Sequence, residues 1–266
     1  MSEIHRGSIR AGPDSTSRNM KAASSTFKGF PAEGIAFLRD LKKNNNREWF
    51  TGGSPQPRVE RYKEIVRAPM LELVRALHVA MLRFAPAYVG EPARCLYRVY
   101  RDVRFSKDKT PYKTRADALF WRNSLEKNAG AAFYVAISPE EVAVACGLYS
   151  PSPESLLAVR QYVAANPEDF RATFESKTVR RLMGELKGAR TTRVPRGFSA
   201  EAPAAELLKH KQFVFHEALR PDVATSPQLV REIATRFQAM TPFVEFLDRP
   251  LLKKTSQPPM HADKRR

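Results

Sequence analysis

Two cysteines in 266 residues, Cys95 and Cys146, are too few to staple a fold, and neither belongs to a C-x-x-C pair. Both fall inside apolar, strand-like runs. This argues against a disulfide or zinc framework and for a reducing compartment. No apolar run approaches the roughly 18–20 residues that cross a bilayer. The amino-terminal stretch has no apolar segment of the kind a secretory signal carries. It is rich in Ser and Arg like a transit peptide, yet Glu3, Asp14 and Gly12-Pro13 weaken that reading. A soluble, cytoplasmic protein that uses no membrane is the expectation. Catalytic signatures are scarce too. There is no G-x-S-x-G, Walker loop or dinucleotide fingerprint, and no internal repeat or heptad array. His210 and His216, six residues apart beside Glu217, match no common zinc spacing, so no metal site is expected. The sequence leaves open whether the protein is an enzyme, which cofactor it takes and how it oligomerises.

Acidic residues are the other shortage. Against 45 Lys and Arg there are 28 Asp and Glu, giving a net charge of +17 and a pI near 10.1. Such an excess suits an anionic partner, nucleic acid included. Its distribution is uneven. Residues 1–25 hold +2 and residues 253–266 hold +4, which leaves +11 for the rest, and Arg94–Arg115 alone supplies +6 of that. Both ends read as disordered tails, 1–25 and the basic 253–266, flanking a single domain over 26–252; Met20 is an alternative start.

Within that domain the apolar spacing alternates between helix and strand. Ile35, Phe37, Leu38 and Leu41 mark a short helix, and Tyr62 to Leu82 a long one that Pro69 should kink or break. Strands are expected at Leu96–Phe105, Ala118–Trp121, Ala131–Ile137 and Val142–Leu148. The last two form a hairpin around Ser138-Pro139, and Phe213–Phe215 is a candidate fifth strand. Helices should follow at Leu156–Ala165, Glu168–Glu175, Val179–Leu186 with a stop at Gly188, and Gln228–Leu247. The fold class is α+β: an antiparallel sheet of about four or five strands with helices packed on one face.

Read as a strand, Tyr97–Phe105 puts Tyr97, Val99, Arg101, Val103 and Phe105 on one face, core-like except for Arg101. A buried guanidinium keeps its charge and needs a partner; Glu48, Asp102 and Asp108 are the candidates. On the other face Arg104 should hold Asp102 ionised. The following Ser106–Thr114 adds hydroxyls, ammoniums and the Tyr112 phenol, groups suited to phosphate or carboxylate. A solvated ladder of ion pairs is the competing reading.

The pattern Arg98-x-x-Arg101-Asp102-x-Arg104-Phe105-x-x-Asp108-Lys109-x-x-Tyr112 resembles the signature of a widespread bacterial family known only as a domain of unknown function, number 2461. The run Asn44-Asn45-Asn46-Arg47-Glu48-Trp49-Phe50 is similar to that family's amino-terminal motif, and the likeness extends from about Phe27 to Leu252. The resemblance implies no activity, substrate or cofactor. It does favour a site over a ladder, since ion pairing alone does not require Phe105, Lys109 and Tyr112 at fixed offsets.

The expected function is binding, with or without processing, of a small phosphorylated or carboxylated ligand. Arg98, Arg101, Arg104, Lys109 and Lys113 would hold the anion, Asp102 and Asp108 would orient them, and Tyr112 would cap the pocket. Asn45, Glu48 and Trp49 would join from the amino-terminal motif, which reads equally well as an Asn-capped helix end with an aromatic plug. Ala132, Tyr134, Ala136, Ala143, Ala145, Gly147 and Tyr149 form a face of small residues edged by tyrosines, read in preference as a helix-packing surface and otherwise as a groove floor. The rivals to small-anion binding are a nucleic-acid-binding module using the same basic segment, and a protein–protein adaptor.

Overall fold

The computed structural model describes residues 27–252, so the two expected tails lie outside the described residues. Helix α1, Ala32–Lys43, buries the predicted Ile35, Phe37, Leu38 and Leu41. After the short α2, Arg47–Thr51, a helical path runs through α3, Arg58–Tyr62, a π-helical turn, Lys63–Arg67, and α4, Ala68–Met81. The predicted irregularity thus falls one turn ahead of Pro69. Proline has no N–H for the Ile65 carbonyl, and its ring pushes that carbonyl aside, which a wider turn accommodates. Gly34 of α1 packs against the displaced backbone: a Cβ there would stand 2.4 Å from the Ile65 oxygen.

After α5, Pro92–Cys95, four strands form an antiparallel meander in the order β1-β2-β3-β4: β1 Ala116–Trp121, β2 Ala132–Ile137, β3 Val142–Leu148 and β4 Phe213–Leu219. Between β3 and β4 lie α6 Pro153–Ala165, α7 Pro167–Ala172, α8 Lys177–Met183 and α9 Ala205–Leu208; α10, Leu229–Leu252, closes the described chain. Helix α8 ends earlier than expected, at Gly184 with φ 69° and not at Gly188. Helix α10 runs on through Pro242 to Leu252.

The register sorts side chains by size. Phe120 pairs with Phe133, Phe133 with Cys146 and Cys146 with Phe215, so the large apolar residues share one face. That face meets α10, where Phe237 lies 4.9 Å from Phe133 and Phe243 lies 5.1 Å from Phe215, centroid to centroid. The core is continuous from Phe30 to Leu251.

One expected strand does not form. Leu96–Phe105 is irregular and holds only single bridges, Leu96 to Ala118 and Tyr100 to Tyr112. The arms on either side of its tip pair briefly, with Arg101 N–H donating to Pro111 and Lys113 N–H to Val99. Pro111 cannot donate in return, and the residues between turn back on themselves.

Candidate functional site

The opposite face of the sheet carries Asp117, Leu119, Ala132, Tyr134, Ala136, Ala143, Ala145, Gly147, Val214 and His216, and no helix of the described chain fills the space above it. A groove of about 700 Å³ lies there. The small-residue face read in preference as a helix seat is therefore a groove floor. Gly147 lets β3 lie close to β4 and α10: at φ +115° a Cβ would lie 2.0 Å from the Phe213 carbonyl oxygen and 3.1 Å from the Phe243 ring, so no other residue fits. Tyr97, Tyr134 and Tyr149 supply aromatic walls.

Asp117 anchors the groove's polar cluster. Its side chain is only 4% exposed and meets Lys113 Nζ at 3.0 Å and Arg115 Nε at 3.5 Å. The Tyr134 hydroxyl donates to the same carboxylate at 3.2 Å. Burial first, and then the Asp117 charge, push Tyr134 above the ordinary tyrosine range; Tyr97 shifts the same way for the same reasons. Both phenols are thus donors and not bases. Lys113 also stands 4.3 Å from the centre of the Tyr97 ring, which Lys127 approaches at 4.4 Å. Two cations against one carboxylate leave this cluster with one positive charge in excess. Across the groove mouth Glu140 is paired with Lys42 at 2.7 Å, while Glu141 also lines the site.

Of the residues expected to bind an anion, Lys113 lines this groove. The others mostly bind one another. Arg101 is about three-quarters buried, with a side-chain exposure of 26%, and bonds Asp108 at 2.5 Å and the Thr110 hydroxyl. Arg104 grips Asp102 through Nε at 3.0 Å and Nη2 at 2.7 Å. Arg104 holds Asp102 down at about 2, and the Thr110 N–H at 2.9 Å, followed by Arg101, holds Asp108 there too. Lys109 Nζ caps the Val103 carbonyl at 3.0 Å. Tyr112 is buried, its ring 4.2 Å from Phe50. Arg98 makes no hydrogen bond or ion pair among the described residues and is exposed. Phe105, placed in the core by strand alternation, is instead fully exposed because the strand does not form.

The amino-terminal motif divides its work. Asn46 caps α2, accepting from Trp49 N–H at 2.8 Å. Asn45 imitates a strand neighbour: its Nδ2 donates to the Tyr112 carbonyl at 2.9 Å and its Oδ1 accepts the Tyr112 N–H at 3.0 Å. The two motifs are therefore one structural unit, an amide clamp on a self-paired loop. Trp49 packs on Phe37 beneath the Arg58 guanidinium, 4.6 Å from its ring. Glu48 is exposed and does not reach Arg101, whose carboxylate is Asp108.

The family model described as "Conserved hypothetical protein (DUF2461)" matches residues 33–246. The chain belongs to this family. No curated protein and no solved structure matches it. The DUF2461 match spans the groove's strands, Asn45 and the Arg98–Lys113 loop together. Asp117 and Arg115 are the site residues that sequence reading did not assign, while Tyr134 was named only as an edge of the small-residue face. A lone carboxylate at the head of an apolar strand was the available signal, hidden because the strand was expected to start at Ala118.

A second hollow of about 200 Å³ is lined by Tyr88, Glu91, Arg94, Cys95, Trp121 and Asn123. Its Cys95 sulfur lies 3.6 Å from His78 Nε2. Burial pushes the thiol up to about 11 and the imidazole down to about 4, so the pair is neutral and the sulfur is a poor nucleophile. Among the described residues no group of His, Cys, Asp and Glu is arranged to hold a metal ion, and no helix is long and apolar enough to cross a membrane.

Proposed function

We propose that the protein binds a small carboxylated or phosphorylated molecule in the groove on the open face of its sheet. The observation that carries this reading is a concavity of about 700 Å³ with an alanine and glycine floor and a buried, over-compensated carboxylate at one side. That volume is in the range of small-molecule sites, and an apolar floor with few convergent polar groups is their usual composition. The anionic head meets Lys113 and Arg115. The Tyr134 hydroxyl and Asp117 hold the two cations in place, and Glu141 accepts from a hydroxyl or amide of the ligand. The apolar body lies on Ala136, Ala143 and Ala145 between the tyrosines. Within the basic segment first read as the site, the signature loop supports this arrangement by fixing Lys113 and does not itself close on the ligand.

The test is thermal unfolding against a panel of aromatic and aliphatic carboxylates and phosphate monoesters, with amines as the contrary charge. A binder at a hundredfold excess over its Kd stabilises by about 2.7 kcal/mol. Lys113→Met with Arg115→Gln should abolish that gain. Stabilisation by amines alone, or a flat response across the panel, sinks the reading.

A further inference from the structure

Phe105 stands at the tip of the Arg98–Lys109 loop with 96% of its surface exposed, and Tyr100, lower on the same loop, is 49% exposed. Single exposed apolar side chains are ordinary on protein surfaces. This one is held out by a built scaffold. Arg101 ties the loop across to Asp108 and Thr110, Asp102 clamps Arg104, and Lys109 caps the carbonyls beside the tip. Tyr100 leans on Tyr112, centroids 5.5 Å apart, which Asn45 fixes from below. The loop carries five cations and two carboxylates, and both carboxylates are already engaged by Arg101 and Arg104. Arg98 and Lys107 make no hydrogen bond or ion pair among the described residues. A partner matched to this tip offers flat apolar faces and dispersed negative charge together.

The composition of the tip discriminates between partners. A membrane-inserting tip needs apolar neighbours, whereas Phe105 is flanked by Arg104 and by Ser106-Lys107, whose charges would be drawn toward hydrocarbon. An acidic protein patch satisfies the cations but gives two exposed rings no particular surface. Exposed rings interleaved with cations are the arrangement by which proteins hold single strands: bases stack on the rings and phosphates meet the cations. We propose that the Arg98–Lys109 loop binds single-stranded nucleic acid, with one base stacked on Phe105, a second against Tyr100, and phosphates held by Arg98 and Lys107. The chain's +17 charge supplies the long-range attraction.

Fluorescence anisotropy of the full chain with a labelled oligo-dT of about 12 nucleotides tests this. Binding is expected at low salt and should weaken with salt at a slope of about −0.7 per phosphate neutralised. Phe105→Ala removes a ring that meets only the Arg104 guanidinium, at 5.8 Å, so the fold should be unchanged. Affinity should nevertheless drop about ten- to hundredfold. Arg98→Ala with Lys107→Ala should flatten the salt slope, while Ala145→Leu in the groove should leave oligonucleotide binding as it was. Wild-type affinity in Phe105→Ala, no binding at low salt, or stronger binding to anionic lipid vesicles than to the oligonucleotide would each overturn the proposal.

Discussion

On the covered face of the sheet, Phe120, Phe133 and Phe215 interlock with Phe237 and Phe243 of α10. On the other face the same strands present Ala132, Ala136, Ala143, Ala145 and Gly147, and the space above them is a groove. Strand alternation assigns alternate residues to opposite faces, so one stretch of chain encodes both surfaces. The covered face contributes stability through area removed from water and dispersion. The open face contributes less of that, because its buried residues are the small Ala132, Ala136 and Ala143, and at the edge of its polar cluster Arg115 is half exposed. The contrast locates stability and ligand chemistry on different residues of the same strands, and mutations should separate them.

The largest expected effect is on the covered face. Phe133 is fully buried and touches both Tyr88 and Phe237. Phe133→Ala should cost about 3–5 kcal/mol in urea unfolding, the usual sum of lost transfer energy and a residual cavity. A loss below about 1 kcal/mol would mean that the two faces are not distinguished in this way.

Next in size is a pH effect on the same side. Asp248 of α10 is fully buried and accepts from the Tyr88 hydroxyl at 2.7 Å and the Ala131 N–H at 2.7 Å. Burial outweighs these bonds and Arg122, and raises its pKa from 3.8 to about 6. The folded state therefore holds the proton more tightly than the unfolded chain. This group's contribution is full below about pH 4 and is lost as pH rises to about 6, a difference of about 3 kcal/mol. Asp102 and Asp108, held down at about 2, act in the opposite direction and only below about pH 4. Between pH 4 and 7 the imidazoles of His78 and His210, both lowered by burial, add stability as pH rises and oppose Asp248. Asp248 is therefore read from the difference between the parent and Asp248→Asn: the parent should lose about 3 kcal/mol relative to the variant as pH rises across this window. An unchanged slope in the variant would show that the carboxylate ionises there without penalty.

The same contrast explains what the sequence revealed. Strands β2 and β3 were legible because each apolar run is interrupted by a turn that names itself, Ser138-Pro139, and helix α1 because its four apolar positions fall on one stripe. The covered face follows from the phenylalanines. That the small-residue face is open does not follow, because alanine and glycine permit a close helix and an empty groove equally; only the placement of distant helices decides. The Tyr97–Phe105 alternation misled for a related reason. Alternation indicates a strand only where a neighbour supplies the ladder, and here Arg101, Asp102, Arg104 and Asp108 satisfy one another within the loop. The charged signature was read in preference as an anion site, with ion pairing as the competing reading; that Arg101 needs a carboxylate was legible, and Asp108 was among the partners expected for it. What was not legible is that these pairs build a loop, leaving Lys113 to reach the groove.

The smallest expected effect on stability belongs to the open face, and it sharpens the comparison most. Ala145 is half-buried at the centre of the groove floor, opposite Tyr134 on β2 and His216 on β4. Leucine at this position adds volume where no side chain of the covered core must move, so overpacking does not arise as it would beneath α10. The added side chain rests on Tyr134 and Ala143 and gains some apolar contact, offset by its lost rotamer freedom. Ala145→Leu should therefore leave the unfolding free energy within about 0.5 kcal/mol of the parent, as surface substitutions usually do. The same side chain occupies the floor on which the ligand's apolar body lies. Any carboxylate or phosphate ester that stabilises the parent should lose its effect in Ala145→Leu even though Lys113 and Arg115 are untouched. Retained stabilisation in this variant, with loss in Lys113→Met, would mean that the cations act alone and the groove floor is not part of the site.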